Sequence, residues 1–441
     1  MHNWFEGVLQ HHFRFRWGLN GTPEPKGSDD GDELDESEYY TTENNSDGEA
    51  GLVSDFWSDG IKAKLISAVL EVIVPAGVTR MPRGFGKAKN GKLKASEWHT
   101  LYSIHLPLCS LDIFIGRDVE ESLIRNQDVI RNICALIHCT NIVASNKITD
   151  KDCEIFAREY EIYTTTSEGL FPNLKILPNH HYALHMPSQL RWWGPLMSVS
   201  EFPGERLIGL LQKCKTNSNP KHLGVTMMKK FCQIQRLKAQ GGLDCALEEQ
   251  RKAAPGKKFE IDPRAYSEIL EFCRKSIPQL RSYSDFPHPR NTKVLFNHAK
   301  AILSAECGGG KRISKQKPND MIEYLSDGRT SYGQVSDIME LLGGVNSIVV
   351  KVLTAKEVCR SDELDKHFRN MNVLHVQLRG HTYVHLSDVI MPVAYRPLPA
   401  WTFGVLHPSY LIRPLAGLSE AQWPAHEEQW PAEDDRMDIE D

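Results

Sequence analysis

Three histidines crowd the stretch NHHYALH, where His180, His181 and His185 fall within little more than one helical turn. A zinc site needs a fourth ligand, and no Cys or carboxylate follows at a helpful spacing. The plainer reading is a half-buried helix whose imidazoles bond to backbone. In ECGGGKR the glycines precede Lys311, but the earlier glycine and the Ser/Thr after the lysine that a phosphate loop requires are missing. No Ser/His/Asp or Cys/His set can be assembled by spacing. FPGERLIG is more informative. Pro203 at a helix entry puts Glu205 in the first turn, beside the positive end of the helix dipole, although such acids are common in helices that do no chemistry. Further on, MKKFCQIQRLK sets Lys229, Lys230, Arg236 and Lys238 on one helix, suited to tracking phosphates or to forming a solvated face. Arg191 precedes Trp192 and Trp193, rings able to stack on bases or to close a packed corner.

These residues need elements to hold them. Residues 1–19 carry Trp4, Phe5, Val8, Leu9 and Phe13 at helical spacing and end at Gly18, which predicts a helix with one apolar face. Residues 20–54 are rich in Gly, Asp, Glu and Ser and read as a disordered acidic insertion. Residues 55–240 read as helical. Ser58 or Asp59 is a cap for one helix, Ser96 for another, and two helices are expected over 118–165, the first carrying Val129, Ile130, Ile133, Leu136 and Ile137. LDIFIG, which holds Asp112, looks strand-like. Another helix is expected after Pro203 and one more from about residue 222. Residues 241–312 read as a Gly/Lys-rich linker with two helices. From 313 to 415 the chain alternates, is rich in Val and Ile, and is punctuated by SDGR, GG and RGH, which predicts a small all-β module. Tyr324, Tyr332, Tyr383 and Tyr395 are its candidate aromatic contacts. Residues 416–441 read as a disordered acidic tail with a short Gln-Trp-Pro-Ala repeat. The fold class expected is α+β.

Charge is unevenly placed along the chain. Its 441 residues carry a formal net charge of -5, but residues 29–49 hold ten Asp/Glu and no Lys/Arg, and residues 418–441 hold nine Asp/Glu and one Arg. What remains has 38 acids against 51 bases, a body of about +13. A basic body suits an anionic partner, nucleic acid being the commonest, or is a Lys-rich solvated surface. The ten cysteines form no C-x-x-C pair and read as reduced thiols of a cytosolic or nuclear protein. The longest apolar run, LISAVLEVIVPAGV, contains Glu71 and Pro75 and is too short and interrupted to cross a bilayer.

Four stretches, in order, resemble the transposases of CACTA (En/Spm-type) DNA transposons, the fungal branch in particular. They are MHNWFEGVLQHHFRFRWG, GKLKASEWHTLYSIHLPL, LPNHHYALHMPSQLRWWGP, and FPGERLIGLLQKCKTN with the MMKKFCQIQRL that follows. The likeness covers residues 1 to about 240, and the terminal module looks like the β domain that often follows in fungal members. The resemblance implies the mainly helical C-terminal portion of an RNase H-like core, followed by an SH3-like or BAH-like barrel. It also implies cut-and-paste chemistry on DNA in the nucleus, with three carboxylates presenting two Mg²⁺ or Mn²⁺ ions. Carried over residue by residue, Glu205 matches the third metal-binding acid and His2 the histidine of an Asp-x-x-His signature. That signature's aspartate would precede Met1, and no acid here matches the upstream catalytic aspartates, Asp112 included. The chain is therefore expected to be the C-terminal part of such a transposase, catalytically incomplete and without a stably bound metal. A non-enzymatic chromatin or protein interaction module, or a product with no present function, stays open, as does the oligomeric state.

Overall fold

Aromatic side chains dictate how the first residues fold. In the computed structural model, residues 3–19 form two widened helical turns, Asn3–Leu9 and His12–Arg16, in the i to i+5 hydrogen-bonding pattern. Residues 57–86, 93–172, 176–200, 222–239, 256–358 and 361–415 are also described, with single positions between 204 and 211. The expected apolar face is present, Trp4, Phe5, Val8, Leu9 and Phe13 each being fully buried. The opposite face is buried as well, since His11, His12, Arg16 and Trp17 are all shielded from solvent. The segment is therefore a core element and not an amphipathic surface helix. The indole of Trp4 donates to Thr140 Oγ1 at 3.1 Å, and its ring lies 5.4 Å from that of Phe156. Phe13 meets Trp98 edge-on at 5.3 Å. A Cβ on Gly7 would come within 2.6 Å of the Asn179 side chain, so glycine lets the helix Pro178–Ala183 approach closely.

The chain divides into two units. The first comprises residues 1–197, 305–336 and 351–441, and the second residues 198–304 and 337–350. Its class is α+β, as expected. In the first unit Ser58 caps Asp59–Glu71 by accepting from the Ile61 N–H. The helix Ala95–Thr100 begins before Ser96. Its first turn is closed by the Glu97 carboxylate, which accepts from the Lys94 N–H at 2.8 Å. Residues 118–165 hold three helices instead of two, because Asn126 interrupts between Val119–Arg125 and Gln127–Val143. The third, Asp150–Leu170, has a reciprocal cap between Thr149 and Asp152 and packs on the second. LDIFIG is not a strand. Leu111–Phe114 continues the helical path of Leu106–Cys109, burying Leu111 and Phe114 three residues apart, and only Ile115 turns extended.

The strands of this unit are antiparallel. Met321–Ser326 joins Arg329–Gly343 through Asp327 and Gly328, both at positive φ, as a two-residue turn requires. Val389–Pro392 pairs on the other side of Met321–Ser326. Leu374–His385 pairs with Ser409–Arg413, which pairs with Ala394–Leu398. Gly308–Gly310 forms a single 3-10 turn between the short strands Ser304–Cys307 and Lys311–Ser314. RGH is no turn, since Gly380 lies inside Leu374–His385 at φ +70°. Nor is the module all-β. Asp362–Asn370 is a helix, with three acids in its first turn and Leu364 and Phe368 buried one turn apart. Met321, Val376, Val393, Tyr395 and Ile412 form a core on which Ile73 packs, its backbone exchanging two hydrogen bonds with Tyr395.

The second unit holds the helices Leu223–Ala239 and Pro263–Ser276, the latter capped by the Asp262 carboxylate. One α-helix forms within the described residues 256–312, where two helices are expected over 241–312, part of which lies outside the described residues. Val294–Ala301 is a strand, antiparallel to Lys258–Glu260 and to residues 339–343. Its apolar residues satisfy either period over so short a run, and pairing decides the matter. The expected insertion 20–54 and tail 416–441 lie wholly outside the described residues.

Candidate nucleic-acid interface and the groups around it

The cationic candidates lie on two helices, one in each unit. Lys229, Lys230, Arg236 and Lys238 share the helix Leu223–Ala239 in the second unit. Lys229 and Arg236 are exposed and Lys230 is half-buried. The run from Arg206 to Leu243 holds eight Lys/Arg and no Asp or Glu, so nothing within it offsets that charge. The exposed face of this helix presents Gly224, Met228, Lys229, Cys232, Gln233 and Arg236. Val225 and Met228 are each 58% exposed, so the apolar residues of this face are not consumed by a core.

Arg191 belongs to the first unit, on the helix Met186–Trp193. Its guanidinium lies 3.9 Å from the exposed Asp150 carboxylate, a weak surface pair. Met186 and Leu190 take the buried face at i and i+4, which leaves Trp192 and Trp193 79% and 65% exposed. No packed corner forms.

Glu205 and His2 lie outside the described residues. Among those described, no group of three His, Cys, Asp or Glu is placed to hold a metal ion, so they offer no set fitted to Mg²⁺ or Mn²⁺. Asp112 is committed elsewhere, accepting from Arg396 at 2.8 and 2.9 Å. The three histidines of NHHYALH diverge. His180 turns inward, edge-on to His11 at 5.0 Å, while His181 and His185 face solvent.

Sequence reasoning missed the polar cluster around Arg16. This buried guanidinium donates to Tyr163 Oη at 2.8 Å and to Ser167 Oγ at 2.6 Å, and it lies over the Tyr163 ring. The phenol proton of Tyr163 is then free to point at His12 Nδ1, 3.1 Å away. Asn132 Nδ2 donates to Tyr163 O and Ser167 Oγ, tying in a second helix. Burial first, then neighbouring positive charge, pushes His11 and His180 down to about 3 and His12 well below its ordinary value. The imidazoles are thus neutral around one cation, in an arrangement that fixes the N-terminal segment in place. The signal was the interleaving of bases with aromatics in HHFRFRW, which gives such a helix no solvated face.

The tyrosines of the β module form no open cage. Tyr324 and Tyr395 are core residues, Tyr383 is buried, and Tyr332 is half-buried. Tyr395 Oη donates to Asp320 at 2.8 Å. No known protein family, curated protein or solved structure matches the chain.

Proposed function

We propose that this chain is a transposase-derived, DNA-associated protein, related to the CACTA type and acting in the nucleus. Its helical portion belongs to an RNase H-like core and its terminal strands to an SH3-like or BAH-like barrel. The parent chemistry is strand transfer on two Mg²⁺ or Mn²⁺ ions held by three carboxylates. Glu205 supplies one such acid, so the chain associates with DNA without cutting it. The observation that carries the reading is the helix Leu223–Ala239, whose exposed Lys229 and Arg236 stand in an acid-free run.

Neutralising phosphates releases condensed counterions, so affinity for duplex DNA must fall steeply with salt. Filter binding of the chain between about 50 and 200 mM salt is expected to lose roughly tenfold or more in retention for each few phosphates neutralised. Retention that stays level across that range removes the basis for DNA association. Supercoiled plasmid incubated with Mg²⁺ is expected to stay intact. Nicking that disappears in Glu205→Ala would instead assign the chain a working metal site.

A further inference from the structure

We propose that the helix Leu223–Ala239 enters the major groove of duplex DNA and reads two neighbouring base pairs through Gln233 and Arg236, with Lys229 on a phosphate. This rests on the DNA-binding reading above and goes beyond it, because counterion release alone gives no sequence preference. The helix has 17 residues, about 25 Å of length, and a helix with its side chains matches the roughly 12 Å width of the B-form major groove. Lys229, Gln233 and Arg236 stand at i, i+4 and i+7 and so share one face, and all three are exposed. Lys229 and Arg236 are separated by about 10 Å along the axis, close to three base-pair steps.

The residue types suit base edges. Arginine bonds bidentately to O6 and N7 of guanine and glutamine to N6 and N7 of adenine, while apolar contacts such as Met228 and Val225 suit a thymine methyl. Gln233 and Arg236 are about 4.5 Å apart in rise, which places their bases one or two steps from each other. Charge selects the occupant. Eight cations with no carboxylate between Arg206 and Leu243 attract a polyanion and repel the same face of a second copy. No ion pair of Lys229 or Arg236 occurs among the described residues to compete. Duplex RNA is disfavoured because its major groove is too deep and narrow for side chains to read.

The test is selection of the full chain against a random duplex pool, followed by gel shifts on the selected and a scrambled duplex. The pool should yield adjacent or next-adjacent adenine and guanine positions. Gln233→Ala and Arg236→Lys should each cut discrimination between the two duplexes about tenfold or more while leaving binding to scrambled DNA nearly unchanged. Lys229→Ala should weaken both equally and reduce the salt slope by about one. Salt-dependent binding with no preferred sequence overturns this inference but leaves the DNA-binding reading standing, whereas absence of all binding removes both. Unchanged discrimination in the two variants overturns it, as does equal affinity for duplex RNA. A change in sedimentation with no change in DNA binding would assign the face to self-association and overturn it too.

Discussion

Arg396 shows what one buried guanidinium does for the first unit. It is 6% exposed, donates Nη1–H to both Asp112 carboxylate oxygens at 2.8 and 2.9 Å, and donates from Nε and Nη2 to Glu71 Oε2, each at 3.1 Å. One side chain on the strand Ala394–Leu398 thereby holds the helical stretches 59–71 and 111–114. Burial pushes the Asp112 carboxyl up, against the opposing pull of Arg396, so the acid depends on this partner to stay ionised. Arg413 differs, since its guanidinium is spent on Ser103 O, Asn372 O and Asn141 Oδ1, with burial lowering it to about 10. Removing one partner of a buried ion pair strands the other charge, at a typical cost of about 3–5 kcal/mol. Arg396→Ala is therefore expected to lower stability by that order in urea denaturation of the full chain. Adding Asp112→Asn should restore part of the loss, because the stranded charge is the larger component of it. Equal midpoints for the single and double variants would show that Asp112 is not the group left uncompensated.

At the scale of elements, buried histidines of the N-terminal helix and of the helices packed on it make stability depend on pH. His11, His12, His99, His105 and His180 are all buried; burial holds His11, His99 and His180 at about 3, His105 at about 4, and His12 well below the ordinary value. In the unfolded chain they titrate near 6.5, so below that pH the unfolded state binds protons that the fold refuses. Stability is full above about pH 7.5 and falls as pH drops through the window toward about 3, by about 1.4 kcal/mol per histidine at pH 5.5. Thermal melts at pH 8.5, 7.5 and 5.5 should show little change over the first interval and a steep drop over the second. A flat profile would mean that these imidazoles accept protons without unfolding. The apolar side of this helix was legible, since Trp4 to Phe13 repeat at helical spacing. Its polar side was not, because Arg16 finds its acceptors at Tyr163 and Ser167, about 150 positions away in sequence. The same limit explains LDIFIG. Short apolar runs fit two periods, and long-range pairing chooses between them. The helix carrying Lys229 and Arg236 was legible because both its period and its charge are local.

For the whole molecule, the net charge of -5 conceals a basic body. The ten acids of residues 29–49 and the nine of residues 418–441 carry the opposite sign to the surface proposed to meet DNA. Both are tethered to the same chain, so their effective concentration near that surface is high whatever the protein concentration. Exposed charges interact over a Debye length of about 10 Å at 0.1 M salt, which makes such competition strong in dilute buffer and weak in concentrated salt. A chain lacking residues 418–441, with residues 29–49 replaced by a neutral Gly/Ser segment of equal length, should therefore bind duplex DNA more tightly. An increase of about tenfold is expected near 50 mM salt, shrinking toward none by about 300 mM. The comparison is made by fluorescence anisotropy on one labelled duplex across a salt series, with circular dichroism establishing that both chains are folded. Parallel salt curves of equal affinity would show that the acids do not reach the basic surface. A gain that persists undiminished at high salt would mean that they block DNA by occupying space, a steric effect that screening leaves intact.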